Sequence, residues 1–230
     1  MSDKIARKGF TLAEVLITLG VIGVVAAMTI PTLIANINGS RYRNQFKKSI
    51  STLSQASLMS KAQYGFDFAE ASATTGVWHD DGLGNPETET SMFALFSGTV
   101  KGLSSLGLIT MPGSSIFCAG DGFFYQINDG TIFGFCPGMV GADPNCHLNP
   151  GEDISKLNGS CVGYIDVNGT TLPNKEVQCS NGDTKDVFDA NYQDCVVKNR
   201  DITDRFPVVF HDSVVEPGTN AARYVLNTAK

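Results

Sequence analysis

The sequence predicts an α+β fold in which one long N-terminal helix packs on an antiparallel β-sheet head. Two patterns predict this fold. Residues 15–40 contain no charged residue, and a helical period of apolar side chains continues beyond them to about residue 63. Further along the chain, runs of β-branched and aromatic residues are separated by Asn-Gly and Asp-Gly pairs, which are typical of tight turns between short strands.

The uncharged run is long enough to cross a membrane. As a helix, residues 15–40 would extend about 39 Å at ~1.5 Å per residue, which exceeds the ~30 Å hydrocarbon core of a bilayer. Three basic residues, Lys4, Arg7 and Lys8, precede the run. Because Lys and Arg favour the cytoplasmic side of a span, we expect the start of the chain in the cytoplasm and the remainder outside it.

A cleaved secretory signal peptide is the alternative interpretation of this segment. Residues 15–27 have the length of its apolar region, and Val25-Ala26-Ala27 is an acceptable cleavage site. Glu14 argues against it, because a carboxylate costs roughly 2.5–3.5 kcal/mol if it reaches the bilayer centre. A discarded peptide also has no use for the helical period that continues through Phe46, Ile50, Leu53, Ser57 and Leu58.

The second half of the chain is predicted to form an antiparallel meander. Residues 123–127 and 131–135 flank Asn128-Asp129-Gly130, a combination that favours a β-hairpin. Residues 161–167 form another predicted strand, which leads into a tight turn at residues 168–172. Such a meander can lie across one long helix.

The other segments outside the long helix are predicted from their composition. Residues 65–90 are rich in Gly, Thr and Asp and indicate a connecting loop. Residues 91–108 are expected to contain a short helix, and residues 186–188 to start one more strand. Residues 206–226 favour β-structure.

The cysteines indicate disulfides. None of them forms a C-x-x-C pair, whereas zinc sites usually include one such close pair. An even number of widely spaced cysteines after a membrane span is typical of an oxidising compartment. Six cysteines allow fifteen pairings, so the connectivity stays open. The candidates are Cys118, Cys136, Cys146, Cys161, Cys179 and Cys195.

Residues 8–16, Lys-Gly-Phe-Thr-Leu-Ala-Glu-Val-Leu, resemble the processing site of type IV pilins and type II secretion pseudopilins. The resemblance implies that a prepilin peptidase in the membrane cleaves after Gly9 and methylates the new amine of Phe10. Glu14 occupies the position of the family's invariant acid, the fifth residue after the cut. Pro31 falls where many of these proteins have a proline that kinks the helix.

The resemblance also implies an organisation of the chain. Residues 1–9 would be the leader peptide, residues 10–37 a transmembrane and assembly helix, and residues 38–64 its amphipathic continuation. Asn38-Gly39 predicts a weak break between the two helical parts. Residues 65–230 would form an extracytoplasmic head with disulfides.

The expected function is that of a structural subunit in a type IV pilus or a type II secretion filament. The implied partners are other copies of the chain, other pilin-like subunits, the peptidase, an inner-membrane assembly platform and membrane lipid. The protein would cross the inner membrane once, with its N-terminus inside. After assembly it would lie in a periplasmic or cell-surface filament.

Charge chemistry supports the importance of Glu14. Cleavage would leave an ammonium at Phe10, one helical turn from the Glu14 carboxylate, and both groups are costly in lipid unless each meets an opposite charge. In a single subunit, Glu14 can partly neutralise its own amine. In a filament, the amine of an incoming subunit can meet Glu14 of its neighbour, which would fix the axial step.

A calcium ion is the one cofactor that the sequence suggests. A set of oxygen-bearing residues lies close together in the second half, although such residues are also common turn formers. The spacing is not that of an EF-hand, because Gly follows at the fourth loop position and not at the sixth. The candidate ligands are Asp166, Asn168, Asn174, Asp183 and Asp186.

Other function classes find little support. A net charge of −6 gives no reason to expect nucleic acid as a partner. The histidines His79, His147 and His211 are scattered, and no G-x-S-x-G, H-E-x-x-H or P-loop motif is present, so we expect no enzyme. The alternative is a single-span, membrane-anchored exported binding protein or hydrolase that forms no filaments. That class does not account for Glu14 or for the Gly9-Phe10 site.

Overall fold

A computed structural model defines the fold. It describes residues 9–71, 87, 90–110, 121–135, 146–154, 157, 161–181 and 195–228. The protein has the predicted α+β architecture, in which a long helix packs on a six-stranded antiparallel sheet. Helix α1 spans Leu12–Tyr64, 53 residues without interruption. It ends at Gly65, whose positive φ of 83° suits glycine and lets its N–H bond the last carbonyls of the helix.

The sheet is a simple meander in which each strand pairs with the next one along the chain. Every neighbouring pair is antiparallel. Short turns connect β2 to β3 and β5 to β6, whereas longer segments of the chain connect the other pairs. The strands are β1 (Ser104–Thr110), β2 (Asp121–Gln126), β3 (Ile132–Phe135), β4 (Val162–Asp166), β5 (Arg205–His211) and β6 (Val214–Pro217).

Short helical elements also lie in the described part of the head. They are α2 (Met92–Thr99), a 3-10 turn (Asn199–Asp201) and α3 (Asn220–Asn227). Ser91 caps α2 and Thr219 caps α3, each with a side-chain oxygen that accepts a bond from a backbone N–H in the first turn.

The predicted hairpin between β2 and β3 is confirmed. Ile127 donates its N–H to the Thr131 carbonyl at 3.0 Å, and Gly130 adopts the positive φ of 87° that the turn requires. Asp129 accepts the Thr131 N–H and also pairs with Lys48 of α1, with its Oδ2 2.7 Å from Nζ. The turn therefore joins the sheet to the long helix.

Aromatic packing between α2 and the sheet forms much of the core. Phe46 of α1 stacks on Phe206 of β5 with ring centroids 4.0 Å apart. Phe96 of α2 is fully buried and lies within 6.2 Å, between ring centroids, of Phe68, Phe133, Phe135 and Phe210. Burial of each such ring contributes about 1.5–3 kcal/mol, which holds the sheet against both helices.

The predicted buried face of the second half of α1 is partly wrong. Phe46, Leu53 and Ser57 are buried and Ile50 is partly buried, but Leu58 is 56% exposed. Small residues take the buried positions that a hydrophobic pattern does not reveal, namely Ser49, Ala56 and Ser60.

Two further predictions need correction. The helix predicted within residues 91–108 ends at Thr99, because Val100 is extended and Gly102 turns the chain with a φ of 73°. The segment that follows is strand β1 and not helix. At the C-terminal end, β-structure is right for β5 and β6 but wrong for α3, where the Thr219 cap begins a helix.

The turn after β4 is confirmed. The strand that pairs with β4 on its other side is β5, which begins at Arg205. Among the described cysteines, two disulfides link Cys146 to Cys161 and Cys179 to Cys195. Cys118, Cys136, the strand predicted at residues 186–188 and most of the loop at 65–90 lie outside the described residues.

Candidate assembly segment and the base of the head

The predicted cleavage site lies immediately before α1. Gly9 and Phe10 are not helical, and both are exposed, Phe10 to 89%. Apart from its chain neighbours, no described residue has an atom within 4 Å of the position that a Cβ on Gly9 would occupy. The bond between these residues is therefore unobstructed by the described part of the chain.

Thr11 and Glu14 form a capping box at the start of α1. Glu14 Oε2 accepts the Thr11 N–H and the Thr11 hydroxyl, both at 2.8 Å, and Thr11 Oγ1 accepts the Glu14 N–H at 3.3 Å. The sequence reasoning missed Thr11, although Thr-x-x-Glu before an apolar run is the signature of this cap. The two bonds that the Glu14 carboxylate accepts both use Oε2. Oε1 therefore makes no hydrogen bond or ion pair with the described residues.

The first half of α1 is an apolar rod without a protein partner among the described residues. Its large apolar side chains, from Leu12 to Ile37, are 45–79% exposed. Among the described residues, α1 is the one helix that is both long enough and apolar enough to cross a membrane. The mean hydropathy of its most apolar window is 2.2. Surface of this kind requires lipid or other helices as cover.

Polar groups in the apolar rod are satisfied within the helix. The hydroxyls of Thr18, Thr29 and Thr32 donate to carbonyls three or four residues earlier at 2.8–3.0 Å. Pro31 lies inside the helix, which continues on both sides of it although proline lacks the N–H of one intrahelical bond. The rod thus presents few unmet hydrogen-bonding groups to lipid.

The predicted break at Asn38-Gly39 is wrong, and Gly39 has a different role. The backbone of Asn199 in the 3-10 turn lies against it, so closely that a Cβ on Gly39 would be 1.7 Å from the Asn199 carbonyl oxygen. The Asn199 amide donates to the Asn36 carbonyl at 2.7 Å and to the Ser40 hydroxyl at 3.0 Å. Glycine thus allows the head to dock on α1 where the exposed apolar surface ends.

The structure brings together two histidines that the sequence separates. Asp212 contacts His147 Nδ1 through Oδ1 at 2.5 Å and His211 Nδ1 through Oδ2 at 2.9 Å. His211 Nε2 faces Glu216 Oε1 at 3.7 Å, an ion pair too long for a hydrogen bond. His79 lies outside the described residues. The group joins the segment after Cys146 to the β5–β6 turn.

Charge contacts shift the pKa values in this group. Burial lowers the pKa of His211, but attraction to Glu216 and Asp212 outweighs burial and raises it above the ordinary value. Burial raises the pKa of Asp212, but contacts with His211 and His147 bring it below the ordinary value. The contact with His211 also lowers the pKa of Glu216. The arrangement favours charged imidazole and charged carboxylates together.

Three of the candidate calcium ligands are engaged in other contacts. Asp166 is fully buried and its Oδ2 accepts the Arg205 Nε–H at 2.9 Å. Burial raises the pKa of Asp166 to about 6 despite this pair. Asn168 donates its side-chain amide to the carbonyls of Thr171 and Leu172. In the orientation that satisfies both ends of its side chain, the Asn174 amide donates to the Gly169 carbonyl at 3.1 Å and to Asp166 Oδ2 at 3.3 Å.

The calcium site stays a prediction. Asp183 and Asp186 lie outside the described residues. Within the described residues, no group of three or more His, Cys, Asp and Glu side chains is arranged to hold a metal ion. Arg205, which holds Asp166, could not be recognised from the sequence because 39 residues separate the two.

One family model matches the chain. The model of the prokaryotic N-terminal methylation motif matches residues 5–30, a segment that includes Gly9, Phe10 and Glu14. This motif is the signature of type IV pilins and pseudopilins. Comparisons with curated proteins and with solved structures give no match. The motif and the architecture together make the chain type IV pilin-like.

Proposed function

We propose that this protein is a structural subunit of a type IV pilus or a type II secretion-type filament. One observation carries the proposal: the methylation motif coincides with the start of a continuous helix whose first half is exposed and apolar. A helix of this kind can sit in a membrane before assembly and pack against copies of itself afterwards. In the described part of the head, in contrast, most large apolar side chains are buried in the core.

Processing would precede assembly. A prepilin peptidase cleaves between Gly9 and Phe10 and methylates the new amine, which removes residues 1–9. Residues 10–37 then form the membrane and assembly helix, residues 38–64 its continuation under the sheet, and residues 65–230 the exported head. Residues of α1 change from exposed at Ile37 to buried at Gly39, which supports a boundary between the membrane and assembly helix and its continuation.

Glu14 would direct the assembly step. Its Oε2 belongs to the helix cap, and Oε1 stays available for the ammonium of a neighbouring subunit. A charge pair of this kind removes two costly groups from lipid at once, so an incoming subunit is stabilised at only one axial position. Pro31 would allow the rod to adapt to its neighbours as they pack.

The proposed partners follow from this role. They are other copies of the chain and related subunits, the peptidase, and an assembly platform in the inner membrane. The N-terminus faces the cytoplasm and the disulfide-bonded head faces outwards, in agreement with the oxidising environment that disulfides require. We assign no enzymatic activity, because the N-terminal methylation motif accounts for Gly9, Phe10 and Glu14, the residues that the sequence analysis emphasises.

Isolation of filaments tests the proposal. An epitope is attached at the C-terminus, and filaments sheared from cells with an intact assembly system are examined by immunogold electron microscopy. Labelled filaments that disappear when the peptidase gene is deleted are the expected result. A processed chain that stays in the membrane and never enters a filament would favour the anchored, non-assembling binding protein.

A further inference from the structure

We infer that the base of the head binds the anionic phosphate groups of membrane lipids before assembly. The cations that we assign to this contact are Lys198 and Arg200, beside and in the 3-10 turn, and Arg41, which lies at a similar level of α1 but on another face of the helix. The inference rests on the membrane span of the proposed function, but it concerns the head and not the helix.

The hydrocarbon boundary on α1 can be located from exposure. Ile37 is the last large apolar side chain of the exposed rod, and it is 57% exposed. Gly39 is buried against the head, and Arg41 is the first charged residue after the span. Arg41 lies five residues beyond Asn36, about 7.5 Å along the helix axis at ~1.5 Å per residue. Lipid headgroups therefore meet the chain between Ile37 and Arg41.

The docking of the 3-10 turn fixes its cations at this level. Two side-chain bonds of Asn199, to Asn36 and to Ser40, tie the turn to the last exposed turn of α1. Lys198 directly precedes it and is exposed, and the Arg200 side chain is 57% exposed. The geometry thus holds an ammonium and a guanidinium where the phosphates of the outer leaflet lie.

The charge balance at this level is positive among the described residues. Asp201 is the acidic residue that the described part of the turn contributes, with Oδ1 3.6 Å from Arg200 Nε. Its other oxygen, Oδ2, accepts a bond from the Ser180 hydroxyl at 2.8 Å. Lys198, Arg200 and Arg41 outnumber this one partly occupied carboxylate in the part of the chain that the structure describes. Phosphate, which accepts hydrogen bonds from both Lys and Arg, is the matching ligand.

The inference can be tested with the full-length chain in nanodiscs that hold one copy each, which excludes contacts between subunits. The discs contain phosphatidylcholine alone or an equimolar mixture with phosphatidylglycerol. The rate at which a water-soluble acylating reagent modifies each lysine is followed by mass spectrometry. Lys101, an exposed lysine at the end of α2, is the internal control.

We expect phosphatidylglycerol to slow the acylation of Lys198 about fivefold, the effect that one cation near an anionic surface typically has. High salt should restore the rate by screening, and Lys101 should react equally in both discs. Arg200→Gln should weaken the protection of Lys198, whereas the matched variant Lys101→Gln should not.

The lipid contact would be overturned if Lys198 reacted at the same rate in both kinds of disc. It would also be overturned if Lys198 were protected to an extent that neither phosphatidylglycerol nor salt altered. Neither outcome would affect the filament proposal, which is measured separately in sheared fractions. A chain that fails to incorporate into the discs would instead overturn the membrane span and the proposed function with it.

Discussion

The backbone of Gly39 lies directly against the carbonyl of Asn199, and a Cβ at this position would be 1.7 Å from that oxygen. Gly39→Ala should therefore push the 3-10 turn away from α1 and lower the free energy of unfolding by about 1–3 kcal/mol, as overpacking typically does. Alanine favours helix over glycine, so any loss of stability reports the clash.

Thermal unfolding of the full chain in detergent measures this effect. Gly23→Ala is the matched control, because no atom lies within 4 Å of its added Cβ. If Gly39→Ala were as stable as the wild type, the close contact between α1 and the 3-10 turn would be wrong.

The N-terminus of the mature protein tests the processing step. Because Gly9 and Phe10 are exposed immediately before α1, we expect a mature chain that begins at methylated Phe10. Intact-mass measurement or N-terminal sequencing of the exported protein decides this. Gly9→Leu should leave an uncleaved precursor in the membrane. A chain that begins at Met28 would indicate a signal peptide and contradict the assignment.

The buried pair of Asp166 and Arg205 predicts a pH-dependent cost of mutation. Arg205→Met leaves the buried carboxylate without its counter-charge, which should lower the free energy of unfolding by about 3–5 kcal/mol at neutral pH. The pKa of Asp166 is raised to about 6, so its contribution to stability is present at acidic pH and is lost as pH rises through that value. The variant should therefore lose less stability at acidic pH.

Denaturant unfolding at acidic and neutral pH measures both values. The double variant Asp166→Asn/Arg205→Met should recover most of the stability at neutral pH, because no buried charge is left. An equal loss at both pH values would show that packing of the Arg205 side chain, and not charge, holds the two strands together.

The contacts of Asp212 predict where the head is most stable. The lowered pKa values of Asp212 and Glu216 give stability that is lost as pH falls through them. The raised pKa of His211 gives stability that is lost as pH rises through it. These groups together should favour the folded head at mildly acidic pH. The charges on Asp153 and Arg223 also affect the pKa of Glu216, and with it the contribution of Glu216 to the pH dependence of stability.

Asp212→Asn separates charge from backbone shape, because asparagine also tolerates the positive φ of 46° at this position. We expect a loss of about 1–3 kcal/mol and a flatter pH profile of the unfolding free energy. A profile that matches the wild type would contradict the role of this carboxylate.

The sequence predicts the structure well where neighbouring residues determine it. The uncharged run predicts the first half of the long helix, and Asn128-Asp129-Gly130 predicts the hairpin turn. The family motif likewise resides in consecutive residues, so Gly9, Phe10 and Glu14 could be identified without a structure.

The missed features depend on contacts between distant residues. The weak break predicted at Gly39 is wrong because its partner, Asn199, lies far along the chain. The pair of Asp166 with Arg205 likewise joins residues that the sequence separates by 39 positions. His147 and His211 meet only through Asp212. Such pairings arise from the register of the sheet, which a hydrophobic pattern does not report.

Glu14 offers the most direct test of filament assembly through α1. Glu14→Gln can still complete the capping box, so it removes the charge while it keeps the helix start. Glu14→Val removes both the charge and the side-chain cap. Because valine costs no desolvation of a carboxylate, this variant should insert into the membrane at least as well as the wild type. Thr18→Val, one turn further along, is the matched control for loss of a polar side chain.

The measurement is the amount of chain in sheared filaments, with leader cleavage checked by immunoblot. We predict that both Glu14 variants are cleaved and inserted but yield few or no filaments, whereas Thr18→Val assembles normally. Normal filaments from Glu14→Val would contradict the assembly role of this carboxylate.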